Sequence, residues 1–223
     1  WILSTSGVRP LFRVRWSLHL LRGAIGILMM WSFVHGISRM PLTTAYTLFF
    51  IAPLMITALS VPLLGEKVLP SRWVAIACGF GGVLVALRPT GEGLFTWAGL
   101  AVVFAAAGYA FSAITVRVLT RSDSTQAMVF WLLTLMGAGS ALLALPNWVP
   151  VRPEHWWWIA GVGIVGVAGQ YAITEAFRRA EASVIAPLEY TALVWSVAGD
   201  APLWGVLPDR YTWIGAAIVV ASG

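Results

Sequence analysis

The chain consists of apolar runs that are each about as long as a bilayer is thick, joined by turns of a few residues. A helix needs about 20 apolar residues to cross the hydrocarbon core of a membrane. Residues 1–7 are interpreted as the end of one span. Further membrane-spanning helices are predicted at about 18–38, 42–64, 71–88, 96–118, 125–145, 156–177 and 183–204, with an eighth starting near residue 211. The sequence therefore predicts an all-α integral membrane protein.

The composition excludes most soluble folds. Of 223 residues, 59% are hydrophobic and 10% are charged, whereas soluble domains carry about 25% charged residues. The net charge is +5, and the basic residues flank the apolar runs, so membrane lipid is the expected partner rather than nucleic acid. Motifs of enzymes, metal sites and nucleotide loops are absent from the sequence. No enzyme activity and no cofactor are expected.

The basic residues are distributed unevenly between the two predicted sides of the membrane. One side has ten of the 14, and loops rich in lysine and arginine face the cytoplasm. The chain is then predicted to end on the cytoplasmic side. The ten are Arg9, Arg13, Arg15, Arg22, Lys67, Arg72, Arg117, Arg121, Arg178 and Arg179, and the other four are Arg39, Arg88, Arg152 and Arg210.

The sequence contains an internal repeat. Residues 45–82 and 182–223 each have a long span, a turn, a Leu-Pro pair, an arginine, an aromatic residue and a helix rich in Gly and Ala. Arg72 corresponds to Arg210, yet the charge distribution puts these two residues on opposite sides. Related units of opposite orientation indicate an inverted repeat, in which two halves can rock about a central transport site.

Several motifs resemble the EamA-like branch of the drug/metabolite transporter superfamily. They are LLRG at 20–23, IAPLMITALSVPLLGEKV at 51–68 and ITEAFRRAEASVIAPLEYTALVW at 173–195. The resemblance implies a bundle of ten helices in two inverted repeats in the bacterial inner membrane. About eight of the ten are present here, with the repeats at 1–88 and 96–223. The family's Gly-Glu turn is present as Gly65-Glu66, but the second half has Gly205-Val206.

Polar residues inside predicted spans are the candidates for a transport pathway, because burying them in a bilayer is costly. Glu189 and Asp200 are 11 residues apart, close to three helical turns, and share one helix face with Ser196. The candidate substrate or pathway residues are Glu189, Ser196, His35, Gln170, Tyr171 and Tyr109. The alternative for each is a structural hydrogen bond between helices.

Two further features have functional and structural interpretations. Arg22 lies one turn inside the first span and is expected to reach back to the lipid headgroups. Pro53, Pro62 and Pro187 interrupt spans, because proline removes a backbone donor. They provide either hinges near a transport site or bends needed for packing.

Three classes of function are open from the sequence. The first is a secondary transporter, an exporter or exchanger of small organic metabolites such as amino acids or amines, with protons as a candidate coupling ion. The second is a membrane-embedded enzyme acting on lipid, and the third is a membrane subunit that does not transport. A homodimer is compatible with each of them.

Overall fold

The protein is described by a computed structural model for residues 9–92, 95–195 and 209–222. The described part is helical and contains no strand. The α-helices are α1 (Arg9–Phe12), α2 (Trp16–Ile37), α3 (Leu42–Phe49), α4 (Ala52–Leu64), α5 (Pro70–Leu87), α6 (Trp97–Leu119), α7 (Thr125–Ala144), α8 (Trp156–Arg179), α9 (Ala182–Ile185) and α10 (Arg210–Ser222). Short 3₁₀ helices occupy Leu145–Asn147, Pro153–His155 and Ala186–Tyr190.

Six helical segments are long and apolar enough to cross a membrane. They are Trp16–Ile37, Leu42–Leu64, Pro70–Leu87, Trp97–Leu119, Thr125–Ala144 and Pro153–Arg179. This confirms the all-α membrane fold. A shorter apolar helix covers Ala182–Trp195, and the rest of the predicted span at 183–204 lies outside the described residues, as do residues 1–7.

Local sequence explains where several helices begin and end. Pro70 lies in the first turn of α5, where its missing N–H removes no helical hydrogen bond. Ser124 precedes α7, and its side chain accepts the N–H of Ala127 at 3.2 Å. Gly65 ends α4 with φ of 71°, a left-handed conformation that glycine adopts without steric cost.

The span at 42–64 is broken in the middle, as its proline predicts. Helix α3 ends at Phe49, and α4 begins at Ala52. Pro53 has no N–H to donate to the preceding turn, and regular bonding resumes with Met55 N–H to Ile51 O at 3.1 Å. Pro187 likewise lies in a 3₁₀ stretch between two α-helical segments. Pro62 stays inside α4 without ending it.

The chain divides into two compact units. The first unit comprises Trp1–Ile27 and Thr115–Ala180, and the second comprises Leu28–Ile114 and Glu181–Gly223. These units are defined by compactness, so the repeat boundaries at 1–88 and 96–223 stay a prediction.

Glycines allow close helix contact in the second unit. A Cβ on Gly82 of α5 would lie 2.8 Å from the backbone oxygen of Gly215 in α10. A Cβ on Gly215 would in turn collide with the backbone oxygen of Gly82. Gly82 and Gly215 therefore permit close contact between α5 and α10, two helices that correspond to each other in the internal repeat.

The glycines of α8 make no such contact in the described part of the protein. A Cβ on Gly161, Gly163, Gly166 or Gly169 would meet no atom within 4 Å in the described part of the protein. The whole stretch 156–169 is exposed. Helical periodicity shows which residues share a face, but it does not show which face another helix covers.

Candidate functional site

Two predicted pathway residues meet in the second unit. Glu189 lies in the 3₁₀ stretch Ala186–Tyr190, and Tyr109 lies near the middle of α6. The Tyr109 hydroxyl donates to Glu189 Oε1 at 3.0 Å, although the two residues are 80 positions apart in the sequence. No basic side chain of the described residues pairs with this carboxylate. A half-buried carboxylate with a neutral donor can bind a ligand that brings N–H groups or a positive charge.

Aromatic rings adjoin this pair. Phe49, the last residue of α3 before the proline break, has its ring centroid 5.7 Å from that of Tyr109. Phe33 follows at 5.1 Å from Phe49, and Tyr46 lies 5.7 Å from Phe33. We call Phe33, Tyr46, Phe49 and Tyr109 the aromatic row. Such rings favour offset stacking or edge contacts with flat ligands, and their faces attract cations.

Sequence reasoning missed the aromatic row and a set of buried hydroxyls. Thr44, Thr57 and Tyr190 are fully buried, and their hydroxyls have no hydrogen-bond partner among the described residues. Leaving a buried hydroxyl unpaired costs about 1–3 kcal/mol, so a polar ligand or water near one would stabilise it. The nearest signal for two of these hydroxyls is the repeated sequence Ile-Ala-Pro-Leu at 51–54 and 185–188, because Thr57 and Tyr190 follow it within three residues.

The other predicted site residues lie elsewhere. His35 is at the end of α2, where Arg39 Nη1 lies 2.6 Å from its Nδ1 and Trp31 stacks on its ring at 5.4 Å. Gln170 belongs to the first unit and donates to Thr174 Oγ1 at 3.2 Å. Tyr171 is also in the first unit, half-buried in α8. Ser196 and Asp200 lie outside the described residues.

A second polar cluster occurs in the first unit. His19 of α2 and Asp123, in the turn before α7, are 1% and 4% exposed, and His19 Nε2 lies 2.7 Å from Asp123 Oδ2. The same oxygen accepts the backbone N–H of Arg15 at 3.3 Å. His19 Nδ1 and Asp123 Oδ1 have no hydrogen-bond partner among the described residues. Asp123 carries no signal in the sequence, because a charged residue in a turn between two spans is ordinary.

Basic and polar residues surround this cluster. Arg178 donates to the backbone oxygen of Asp123 at 3.4 Å and to Thr125 Oγ1 at 3.2 Å, and Thr125 donates to Glu175 at 2.6 Å. Arg22 is 2% exposed and donates to the backbone oxygen of Met128 at 3.3 Å. The prediction that Arg22 reaches the headgroups is wrong, because this backbone carbonyl binds the guanidinium inside the unit. The described residues contain no cluster with the composition of a metal site.

Comparison with known proteins identifies the family. The model of the EamA-like transporter family matches residues 2–88 and 96–222. The chain belongs to the EamA-like transporter family. The resemblance drawn from the sequence motifs is therefore confirmed, and the protein is a multi-pass membrane transporter rather than an enzyme.

Relatives with named substrates support transport of small metabolites. The chain is 34% identical over 226 residues to a riboflavin transporter of Vibrio cholerae, covering 99% of this chain and 74% of that protein. It is 29% identical to an S-adenosylmethionine uptake transporter of Rickettsia bellii, covering 92% and 70%. It is 24% identical to a pseudopaline exporter of Pseudomonas aeruginosa, covering 91% and 72%.

The fold also matches a solved structure. A crystal structure aligns with a TM-score of 0.85 over 99% of this chain and 78% of the other, at 23% sequence identity. At that identity the match describes the fold alone.

Proposed function

We propose that this transporter moves a small metabolite with a planar heteroaromatic ring by alternating access, and that Glu189 and Tyr109 bind it. The contact between the Tyr109 hydroxyl and the Glu189 carboxylate carries this proposal. A carboxylate within a span is costly, so such residues by default indicate a functional site. The sequence favoured amino acids or amines as substrates, and the aromatic row now favours a ring-bearing compound.

The chemistry of the relatives' substrates supports the same class. Riboflavin and S-adenosylmethionine each contain a fused nitrogen heterocycle, which can stack on the rings of the aromatic row. Riboflavin has a ring N–H and S-adenosylmethionine has cationic groups, and a carboxylate binds either kind of group. The names of relatives include both uptake and export, so direction in this protein rests on the sequence-based prediction of export or exchange.

The internal repeat and the two proline breaks support alternating access. Helices that are broken within a membrane span let two repeats change their tilt about a fixed site. Glu189 is the candidate carrier of a coupling proton, because a carboxylate that binds substrate in its charged form can release it on protonation. The uneven distribution of basic residues supports a cytoplasmic C-terminus.

The test uses the full-length protein in proteoliposomes that contain a pH-sensitive dye. Flux of riboflavin, S-adenosylmethionine and a panel of amino acids and amines is measured with and without a proton gradient. We expect flux of a heteroaromatic compound in the wild type. A hydrogen bond to a charged group contributes about 1.5–3 kcal/mol, so Glu189→Gln should lower flux by about tenfold or more.

A matched control separates the site from general loss of charge. Glu154 is an exposed glutamate whose partner Arg152 is 3.8 Å away and also exposed. Glu154→Gln should transport like the wild type. Wild-type flux that Glu189→Gln leaves unchanged would refute the proposed site, and folded protein without flux of any compound would favour the non-transporting subunit.

A further inference from the structure

The start of the segment that carries Glu189 is held by a carboxylate from the other repeat. Glu66, in the turn after α4, accepts the backbone N–H of Ala182 at 2.8 Å and that of Ser183 at 3.0 Å. The first N–H groups of a helix have no partner within the helix, and Ala182 and Ser183 are fully buried. Glu66 therefore satisfies two donors that would otherwise be buried without a partner.

Arg72 contacts the same short stretch through its side chain. Its Nη1 donates to Glu181 Oε2 at 2.6 Å and to Ser183 Oγ at 2.9 Å. The side chains of Arg72 and Glu181 are 30% and 48% exposed, so this pair is weaker than the contacts of Glu66. Arg72 and Lys67, which follows Glu66 in the sequence, both belong to the predicted cytoplasmic side.

The segment beyond these contacts is suited to movement. After Ile185 it changes to a 3₁₀ helix with Pro187 near its start and Glu189 near its end. A 3₁₀ helix has poorer hydrogen-bond geometry than an α-helix, and proline removes a donor. Holding Ala182 and Ser183 therefore fixes the base of a segment that is otherwise weakly held by its own backbone bonds.

The corresponding turn of the other repeat lacks this carboxylate. Gly65-Glu66 corresponds to Gly205-Val206, and valine has no acceptor in its side chain. A carboxylate that the sequence provides in one turn and not in the other can favour one of two related conformations.

We propose that Glu66 and Arg72 form a latch that holds the Glu189 segment closed towards the predicted cytoplasmic side, and that transport requires its release. This inference rests on the proposed function, since it concerns the same site. Glu66 and Arg72 are positioning residues, because they act through the segment that carries Glu189.

Burial and hydrogen bonding have opposite effects on the pKa of the Glu66 carboxyl. Burial raises that pKa, but the N–H donors of Ser183 and Ala182 outweigh burial and hold it below its ordinary value.

The test uses oriented proteoliposomes of the full-length protein. For each side of the membrane it measures the substrate concentration that gives half-maximal transport, here called the half-saturation concentration. Glu66→Gln keeps one acceptor oxygen but loses the charge. The variant should shift the population towards the conformation that is open to the Glu66 side. The half-saturation concentration should therefore fall on the Glu66 side and rise on the opposite side, and the ratio of the two should change by about tenfold. A contact that only supports folding would lower the amount of active protein and leave this ratio unchanged.

The chain offers a closely matched control. Asp209 is also a carboxylate before a helix, and it accepts the N–H of Thr212 at 2.9 Å and pairs with Arg88. That helix, α10, does not carry Glu189. Asp209→Asn should leave the ratio unchanged, and Arg72→Gln should change it in the same direction as Glu66→Gln by a smaller factor.

A labelling experiment tests the latch without transport. Cys78 and any further cysteine of the full-length protein are replaced by serine, and Thr191→Cys then provides one thiol, two residues beyond Glu189. An impermeant maleimide added on the Glu66 side should label this thiol about tenfold faster when Glu66→Gln is introduced. Unchanged labelling and an unchanged ratio would refute the latch. Faster labelling in a protein that transports no tested compound would refute the proposed function and keep the latch.

Discussion

Replacing His19 by leucine leaves the Asp123 carboxylate buried with the Arg15 N–H as its remaining partner on Oδ2. A buried carboxylate that loses its hydrogen-bonding partner costs about 3–5 kcal/mol. Asp123→Leu leaves both the His19 ring and the Arg15 N–H without this partner, so its loss of unfolding free energy lies in the same range. The double variant buries no charge at this place. It leaves the Arg15 N–H unpaired, which costs about 1–3 kcal/mol.

The double variant should therefore lose far less stability than the sum of the two single variants, with a coupling of about 3 kcal/mol or more. The free energy of unfolding is measured in detergent by titration with a denaturing surfactant, followed by tryptophan fluorescence. The exposed pair Arg152 and Glu154 provides the reference cycle, with an expected coupling below about 1 kcal/mol. Additive losses at His19 and Asp123, within about 0.5 kcal/mol, would refute the interpretation of this pair as a buried unit.

Three further predictions concern the second unit. Tyr109→Phe removes the hydroxyl bonded to Glu189 and should weaken substrate binding about tenfold at unchanged thermal stability, as measured by equilibrium binding to purified protein. Gly82→Val should lower the melting temperature by several degrees or prevent folding, because its Cβ would meet the backbone oxygen of Gly215 at 2.8 Å. Because the folded-state pKa of Glu66 is lowered, its stabilisation is present above the ordinary carboxyl range and is lost as pH falls below about 4. The difference in melting temperature between wild type and Glu66→Gln should shrink accordingly, and a difference that grows with acidity would contradict this assignment.

The spans and the candidate residues could be predicted separately, but their pairing could not. Span lengths follow from bilayer thickness, and Glu189 and Tyr109 stand out as polar residues in apolar runs. Which face of α6 meets the 3₁₀ stretch depends on the rotation of each helix, and no single-helix pattern encodes that. The aromatic row escaped notice for the same reason, since an aromatic residue in an apolar run is an ordinary core residue.

The burial of charged residues near span ends was harder to predict from the sequence than the spans themselves. Arg22 and Asp123 have ordinary positions for solvated or headgroup-facing residues, yet both are buried. Their burial comes from segments distant in the sequence: Arg22 donates to Met128, and Asp123 meets His19, 104 positions away. A sequence shows the cost of a charge at a given depth, but only the packed structure shows whether a partner offsets that cost.

The two repeats differ in a complementary way at the positions that matter for the proposed mechanism. In the repeated Ile-Ala-Pro-Leu stretches, Met55 follows the first and Glu189 the second, so a carboxylate within the span occurs in one repeat only. In the two turns the order is reversed, with Glu66 in the first repeat and Val206 in the second. Each repeat thus has one carboxylate where the other has an apolar side chain. A symmetric arrangement would place two carboxylates near one site, and their repulsion would raise the cost of burying either one. In the proposed mechanism, Glu189 gives the ligand one preferred orientation, and Glu66 in the turn of the first repeat holds the segment of the second repeat that carries Glu189.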